Sequence, residues 1–351
     1  MSEKANHRRW RDGEHGRYEV WYVTWNDPAT EHGFWLRYIV EQPIDPDHRS
    51  ESGGLHSGGH GEPRGELWFA RFDPKNPSRT FGIHKHVPYN TVAAAEGPFA
   101  LSVGGARLGN DHAIGQLSGD GHDIRWDLRW EAAAEPLRIY PDVMYLREGL
   151  APTTPIMPNW RVPLSGALVI DGETYRFDRT PAGQTHLWGK KHGYMWTWAH
   201  CADFLGAPDA SLEIIAGKIH RRGVTTPNLM VLALDVDGER YRMNQTRHWL
   251  TNRISWETAR VRFSARATTT KIEGELTCAP EHMLNCPYVD PDGSDLWCAN
   301  TEIGDAKLTI YKRAGLGWRQ HRTLTATRRA HFEIGGRTRD PAITREHILV
   351  R

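Results

Sequence analysis

From Gln184 to Phe204 the chain reads QTHLWGKKHGYMWTWAHCADF, which crowds His186, Trp188, His192, Tyr194, Trp196, Trp198, His200, Cys201 and Asp203 into one short stretch. Large rings beside proton carriers suit an apolar, unsaturated ligand, because rings supply shape and π-electron density while His or a carboxyl supplies acid–base chemistry. A strand pair whose Trp side chains fill a core and whose His side chains cap it has the same composition.

Protonating an alkene requires an acid held in a dry pocket, with aromatic faces to stabilise the carbocation that forms. Glu213 sits in SLEIIAG among Leu212, Ile214, Ile215 and Ala216. Desolvation in that company pushes a carboxyl up, so that it can rest protonated, unless it points outward beside Lys218. His186 can donate or relay a proton, or orient a carboxyl through its second ring nitrogen; as a core residue it would instead bond a backbone carbonyl. Glu213 and His186 are therefore the catalytic candidates. Trp188, Tyr194, Trp196, Trp198 and His200 are candidate ligand contacts. Trp21 and Trp25, their counterparts earlier in the chain, either join them or fill an N-terminal core.

Other clusters carry less. His84 and His86 share a strand face at a spacing that can ligate a metal, but no third ligand is marked, and His56 and His60 fall in a Gly- and Ser-rich loop. No metal site is expected. Asp127 between Arg125 and Arg129 reads as a self-neutralising outer face. Gly104, Gly105 and Gly109 lack the strand-then-helix context of a phosphate loop and read as a turn.

The elements that must position these groups are strands. DIRWDLRWE alternates, with Ile124, Trp126, Leu128 and Trp130 on one face and charged residues on the other. RYEVWYVTWND, FWLRYIVEQ, ELWFARFD, SLEIIAGKIH and NLMVLALDVDGERYRM read likewise as strands, and helical periodicity is nearly absent. Residues 43–65 read as a loop over a cavity mouth, and 136–158 are Pro-rich, as in a connector. The halves also echo each other in order. YEVWYVTWND aligns with GYMWTWAHCADF, ELWFARFD with NLMVLALD, and DIRWDLRWE with KIEGELTC, which indicates an internal duplication. The expected layout is all-β: one unit over 1–140, a connector over 141–158 and a second unit over 159–351. Each is a closed or nearly closed antiparallel barrel, with a pocket inside one barrel or at their seam.

The net charge of +1, from 44 Lys and Arg against 43 Asp and Glu, gives no field to gather phosphate backbones, so nucleic acid is not an expected partner. Fifteen Trp concentrate apolar area in a few large side chains. Four cysteines without a C-x-x-C pair offer neither a zinc ribbon nor a redox motif. With no apolar run of membrane length and a charged start, the reading is a soluble cytoplasmic protein.

The tandem β halves and the H-x-W-G of His186, Trp188 and Gly189, followed by Trp196, Trp198 and His200, resemble the lipocalin-like group that contains hydroxyneurosporene synthase (carotenoid 1,2-hydratase) and tocopherol cyclase. The resemblance implies paired lipocalin-like barrels acting on hydrophobic, isoprenoid or polyene substrates by cyclisation, hydration or isomerisation, with no redox cofactor. In the hydratase branch a His and a Trp two residues apart precede a Tyr and an Asp on a following strand. Here His186 and Trp188 match the pair, whereas the next strand has Glu213 and no Tyr-x-Asp. A carrier of an apolar ligand, or a carbohydrate-binding β protein with Trp platforms, remains an alternative.

Overall fold

The computed structural model describes residues 2–44, 62–147, 149–221 and 223–351; His56, His60 and most of the 43–65 loop lie outside the described residues. Eleven strands lead the chain. They are β1 (Arg17–Asn26), β2 (Gly33–Gln42), β3 (Arg64–Phe72), β4 (Phe81–Pro88), β5 (Val92–Glu96), β6 (Phe99–Val103), β7 (Ala106–Gly109), β8 (His112–Gly119), β9 (His122–Trp130), β10 (Thr153–Ile170) and β11 (Glu173–Gly189). The second run comprises β12 (Met195–Cys201), β13 (Ser211–Lys218), the short β14 (His220–Arg221) and β15 (Val224–Thr225), β16 (Leu229–Val236), β17 (Glu239–Met243), β18 (Arg253–Glu257), β19 (Arg260–Arg266), β20 (Thr270–Thr277), β21 (Leu284–Val289), β22 (Asp295–Ala314) and β23 (Gly317–Gly336). Finally β24 (His347–Val350) returns to pair in parallel with β4. Two short helices, α1 (Glu3–Asn6) and α2 (Asp142–Leu146), complete the main elements.

Two large sheets result. The first is ordered β24-β4-β3-β2-β1-β11-β10-β9-β8-β7-β6-β5, and the second β17-β16-β13-β12-β23-β22-β20-β19-β18. Apart from β24 and the two outermost strands β5 and β6, the orders superpose strand for strand: β1 answers to β12, β3 to β16, β9 to β20 and the long pair β10–β11 to β22–β23. The three sequence matches that indicated a duplication fall on three of these equivalences. Each sheet curls around its own core. Trp21, Phe34, Phe69, Leu101, Leu128 and Leu168 belong to the first, and Leu212, Leu232, Val261, Leu276, Leu308 and Phe332 to the second.

The same topology moves the boundary between units. Residues 159–189, which sequence reading gives to the second unit, pair into the first sheet, where β11 lies against β1 with His186 opposite Trp21. The 141–158 stretch is not a simple connector. It carries α2 and the start of β10, is pinned by the Leu137–Met157 bridge, and packs Met157, together with the flanking Ile139 and Trp160, against Val231 and Ala233 of the second sheet.

Burial follows the period-two rule where one face meets water: in β9, Ile124, Trp126, Leu128 and Trp130 are buried and the charged residues between them are mostly exposed. Strands β1 and β2 instead are buried on both faces. Their second face meets the other sheet, where Tyr18, Val20, Tyr22, Trp35 and Trp68 pack against Trp198, Leu284, Cys286, Tyr288 and Ile303. Gly33 is small because a Cβ there would lie 2.5 Å from the Glu302 carbonyl oxygen across this seam.

Candidate active site at the seam between the sheets

Because side chains alternate along a strand, the even-numbered residues of β1 and β12 face each other across the seam. Tyr22 meets the Trp198 ring edge-on at 5.4 Å. With Trp35, Trp196, Tyr288 and the α2 loop they wall an apolar cavity of about 460 Å³. A buried indole N–H needs an acceptor, and two carboxyl groups serve. Trp198 Nε1 donates to Glu213 Oε1 at 2.6 Å, and Trp196 Nε1 to Glu333 Oε1 at 2.8 Å. These bonds fix which ring faces line the cavity.

The turn between β11 and β12 places His192 at the cavity's edge. Its backbone N–H and its Nδ1 both bond Asp290 Oδ1, at 2.9 and 2.8 Å. The ring is sandwiched by Tyr18 at 4.8 Å, Trp196 at 5.1 Å and Tyr288 at 5.3 Å. A carboxylate can only accept from Nδ1, so Nδ1 carries a hydrogen and Nε2 is the nitrogen left for a ligand. This is the geometry by which a carboxylate orients an imidazole for proton transfer.

Arg37, His192 and Tyr288 also line a second, more polar cavity of about 490 Å³, with Glu41, Arg64, Glu66, His84 and His86. Burial, reinforced by Glu66, pushes the Glu41 carboxyl up to about 8. Burial also opposes ionisation of Glu66, but its bond to His86 at 3.2 Å and the charges of His86 and Arg64 hold it well below the usual range. The two neighbouring carboxyls are thus driven in opposite directions. Burial lowers His84 to about 4, so it is neutral at neutral pH, stacked on Trp68 at 3.8 Å. Among the described residues no group of three or more His, Cys, Asp or Glu is arranged to hold a metal ion.

The structure does not bring His186 and Glu213 together. His186 faces the first core, stacked on Trp21 at 4.5 Å, with Nδ1 on the Ala5 carbonyl at 2.6 Å and Nε2 on Glu19 Oε1 at 2.7 Å. Glu19 also accepts the N–H groups of Arg9 and Trp10, so this pair fastens the N-terminal arm into one end of the first barrel. Trp21 and Trp25 are core residues there, not cavity walls. Trp188 packs beside His186 under Arg9, and Tyr194 is half exposed against His220, outside the apolar cavity's lining. Glu213 is fully buried at the seam and does not point outward beside Lys218. It accepts from Trp198 and from His200 Nδ1 at 2.9 Å, so Glu213 and His200 stand behind the cavity wall. Of the residues singled out in sequence, Trp196 and Trp198 line the cavity directly.

His192 stood in the aromatic stretch but carried no distinguishing signal. Asp290 hides in the turn-like VDPDG, and Glu333 in FEIGG. Arg37 and Glu41 did have a signal, since charges punctuate the otherwise apolar FWLRYIVEQ.

Residues 15–336 match the family model described as tocopherol cyclase-like. Mycobacterium tuberculosis protein Rv0493c is 30% identical over 349 residues, covering 95% of this chain and 91% of its own length. A protein of Oryza sativa subsp. japonica named as a probable chloroplastic tocopherol cyclase is 24% identical, covering 91% of this chain and 75% of its own. Among solved structures, CghA superposes with a TM-score of 0.53 at 10% identity over 97% of this chain and 93% of its own. The fold is thus shared well beyond recognisable sequence, and the match over nearly the whole tandem β body makes this chain a member of the tocopherol cyclase-like family.

Proposed function

We propose that this chain is an enzyme that works without a redox cofactor on a hydrophobic, isoprenoid- or polyene-like small molecule, by acid–base cyclisation, hydration or isomerisation. The observation that carries this reading is an imidazole, His192, fixed by the buried Asp290 at the edge of an apolar cavity walled by Tyr22, Trp35, Trp196, Trp198 and Tyr288. In the proposed reaction His192 acts as the imidazolium, with Asp290 as its counter-ion on Nδ1, and gives its Nε2 proton to one alkene carbon. The other carbon becomes cationic, and the neighbouring ring faces stabilise it. The cation is quenched by a nucleophile of the substrate in a cyclisation, by water in a hydration, or by loss of a neighbouring C–H proton in an isomerisation, and in each case the proton released returns to His192 Nε2. Glu213 and His200 serve this reading by holding Trp198. The relatives named as tocopherol cyclases support the reaction class.

The test is a panel of linear isoprenoids and polyenes, with product analysis for turnover and Trp fluorescence for binding. His192→Ala should lower turnover by about two orders of magnitude or more while binding persists. Asp290→Asn should lower it by about 10- to 100-fold, the loss of one charge-assisted hydrogen bond. A wild type that binds the panel tightly and never alters it is a carrier, and the enzymatic reading then fails.

A further inference from the structure

Arg37 projects from the middle of β2 and is only 4% exposed. Its guanidinium lies 4.5 Å from the Tyr288 ring centre, 5.4 Å from Trp35 and 5.6 Å from Trp68. Those rings favour a cation but accept no hydrogen bond from its edge. Nε and Nη1 have no acceptor among the described residues. The nearby carboxylates are engaged elsewhere. Glu66 bonds Arg64, His86 and Trp68, and Glu333 accepts from Trp196 and from the Cys298 thiol. His84 and His347, which face the same space from β4 and β24, are held neutral by burial. A buried cation without a bonded counter-ion is costly, and a fold retains one where something else completes it.

Arg37 lines both the apolar cavity and the polar one, so it stands where the two meet. We propose that Arg37 receives a carboxylate at the polar end of the ligand, so that the substrate class is an isoprenoid or polyene acid with its chain along Trp196 and Trp198. A carboxylate fits better than a phosphate ester. Arg37 brings a single positive charge, Arg64 is already engaged by Glu41 and Glu66, and the ionised Glu66 repels a second negative charge. This inference rests on the reading that the seam cavity takes an apolar chain.

The experiment measures binding of farnesoic acid, farnesol and farnesyl phosphate to the purified full chain at neutral pH, by Trp fluorescence. Wild type should bind the acid at least about tenfold more tightly than the alcohol, the worth of a hydrogen-bonded charge. Arg37→Met should bring that ratio close to one while farnesol affinity changes little, and Arg37→Lys should keep part of the preference; melting curves of each variant establish folding. Equal binding of acid and alcohol by wild type, a preference that survives Arg37→Met, or tighter binding of the phosphate overturns the assignment while leaving the apolar cavity standing. Binding of none of the three overturns it together with the cavity reading. If Arg37→Met does not fold, Arg37→Lys decides, since retention of the full preference by a point charge of different reach overturns a role for the guanidinium.

Discussion

His186→Ala separates a structural histidine from a catalytic one. The wild-type ring is fully buried, and each of its nitrogens has an acceptor, Ala5 O at 2.6 Å and Glu19 at 2.7 Å. A carbonyl can only accept, so Nδ1 carries a hydrogen, and the remaining proton lies between Nε2 and the Glu19 carboxyl. Truncation leaves Glu19 buried with only the Arg9 and Trp10 N–H groups, frees the Ala5 carbonyl and opens a hole beside Trp21. Breaking a buried pair of this kind costs about 3–5 kcal/mol. At roughly 2–4 °C per kcal/mol for a cooperative unit the size of the first barrel, the melting temperature should fall by about 6–20 °C. Proteolysis should begin in the loosened N-terminal arm. Turnover per folded molecule, measured well below the melting transition, should stay within about threefold of wild type, because no atom of His186 lines the seam cavity. A variant that melts within about 1 °C of wild type, or one that is stable yet loses about a hundredfold in turnover, would refute this placement.

Two further outcomes test the seam. Glu41, pushed up to about 8 chiefly by burial, stays protonated in the fold while the unfolded carboxyl ionises near its usual value, so its contribution to stability declines as pH rises from about 4.5 to 8 and is level above. Glu41→Gln should therefore gain on wild type across that window, at up to about 1.4 kcal/mol per pH unit, in urea melts taken at several pH values; a difference independent of pH would contradict the shift. Gly33→Ala sets a methyl group 2.5 Å from the Glu302 carbonyl oxygen and 2.6 Å from its Cβ, against backbone that cannot swing aside. It should cost about 1–3 kcal/mol and weaken ligand binding by parting the sheets, and an unchanged melting temperature and affinity would show that they are not so closely apposed.

Local pattern determined much of the fold. The alternation in DIRWDLRWE became β9 with its four apolar residues inside, and the Asp171–Gly172 and Asp237–Gly238 pairs became left-handed turns closing β10–β11 and β16–β17. The echo between halves anticipated two sheets of matching strand order, because each copy must bury the same faces in the same sequence of strands. What alternation does not encode is the partner of a strand. Pairing between β1 and β11 joins residues more than a hundred positions apart, and it decides that His186 belongs to the first core. The site depended on the same kind of contact. His192 and Asp290 lie 98 positions apart and meet only when the second sheet folds over the first. Strands buried on both faces, such as β2, read as uniformly apolar, so Arg37 and Glu41 show only as interruptions in sequence. Which face each takes, and which ring or carboxyl waits there, is settled by the closure of one sheet on the other. Burial of a charge is tolerable only where that closure brings it a partner or a cavity.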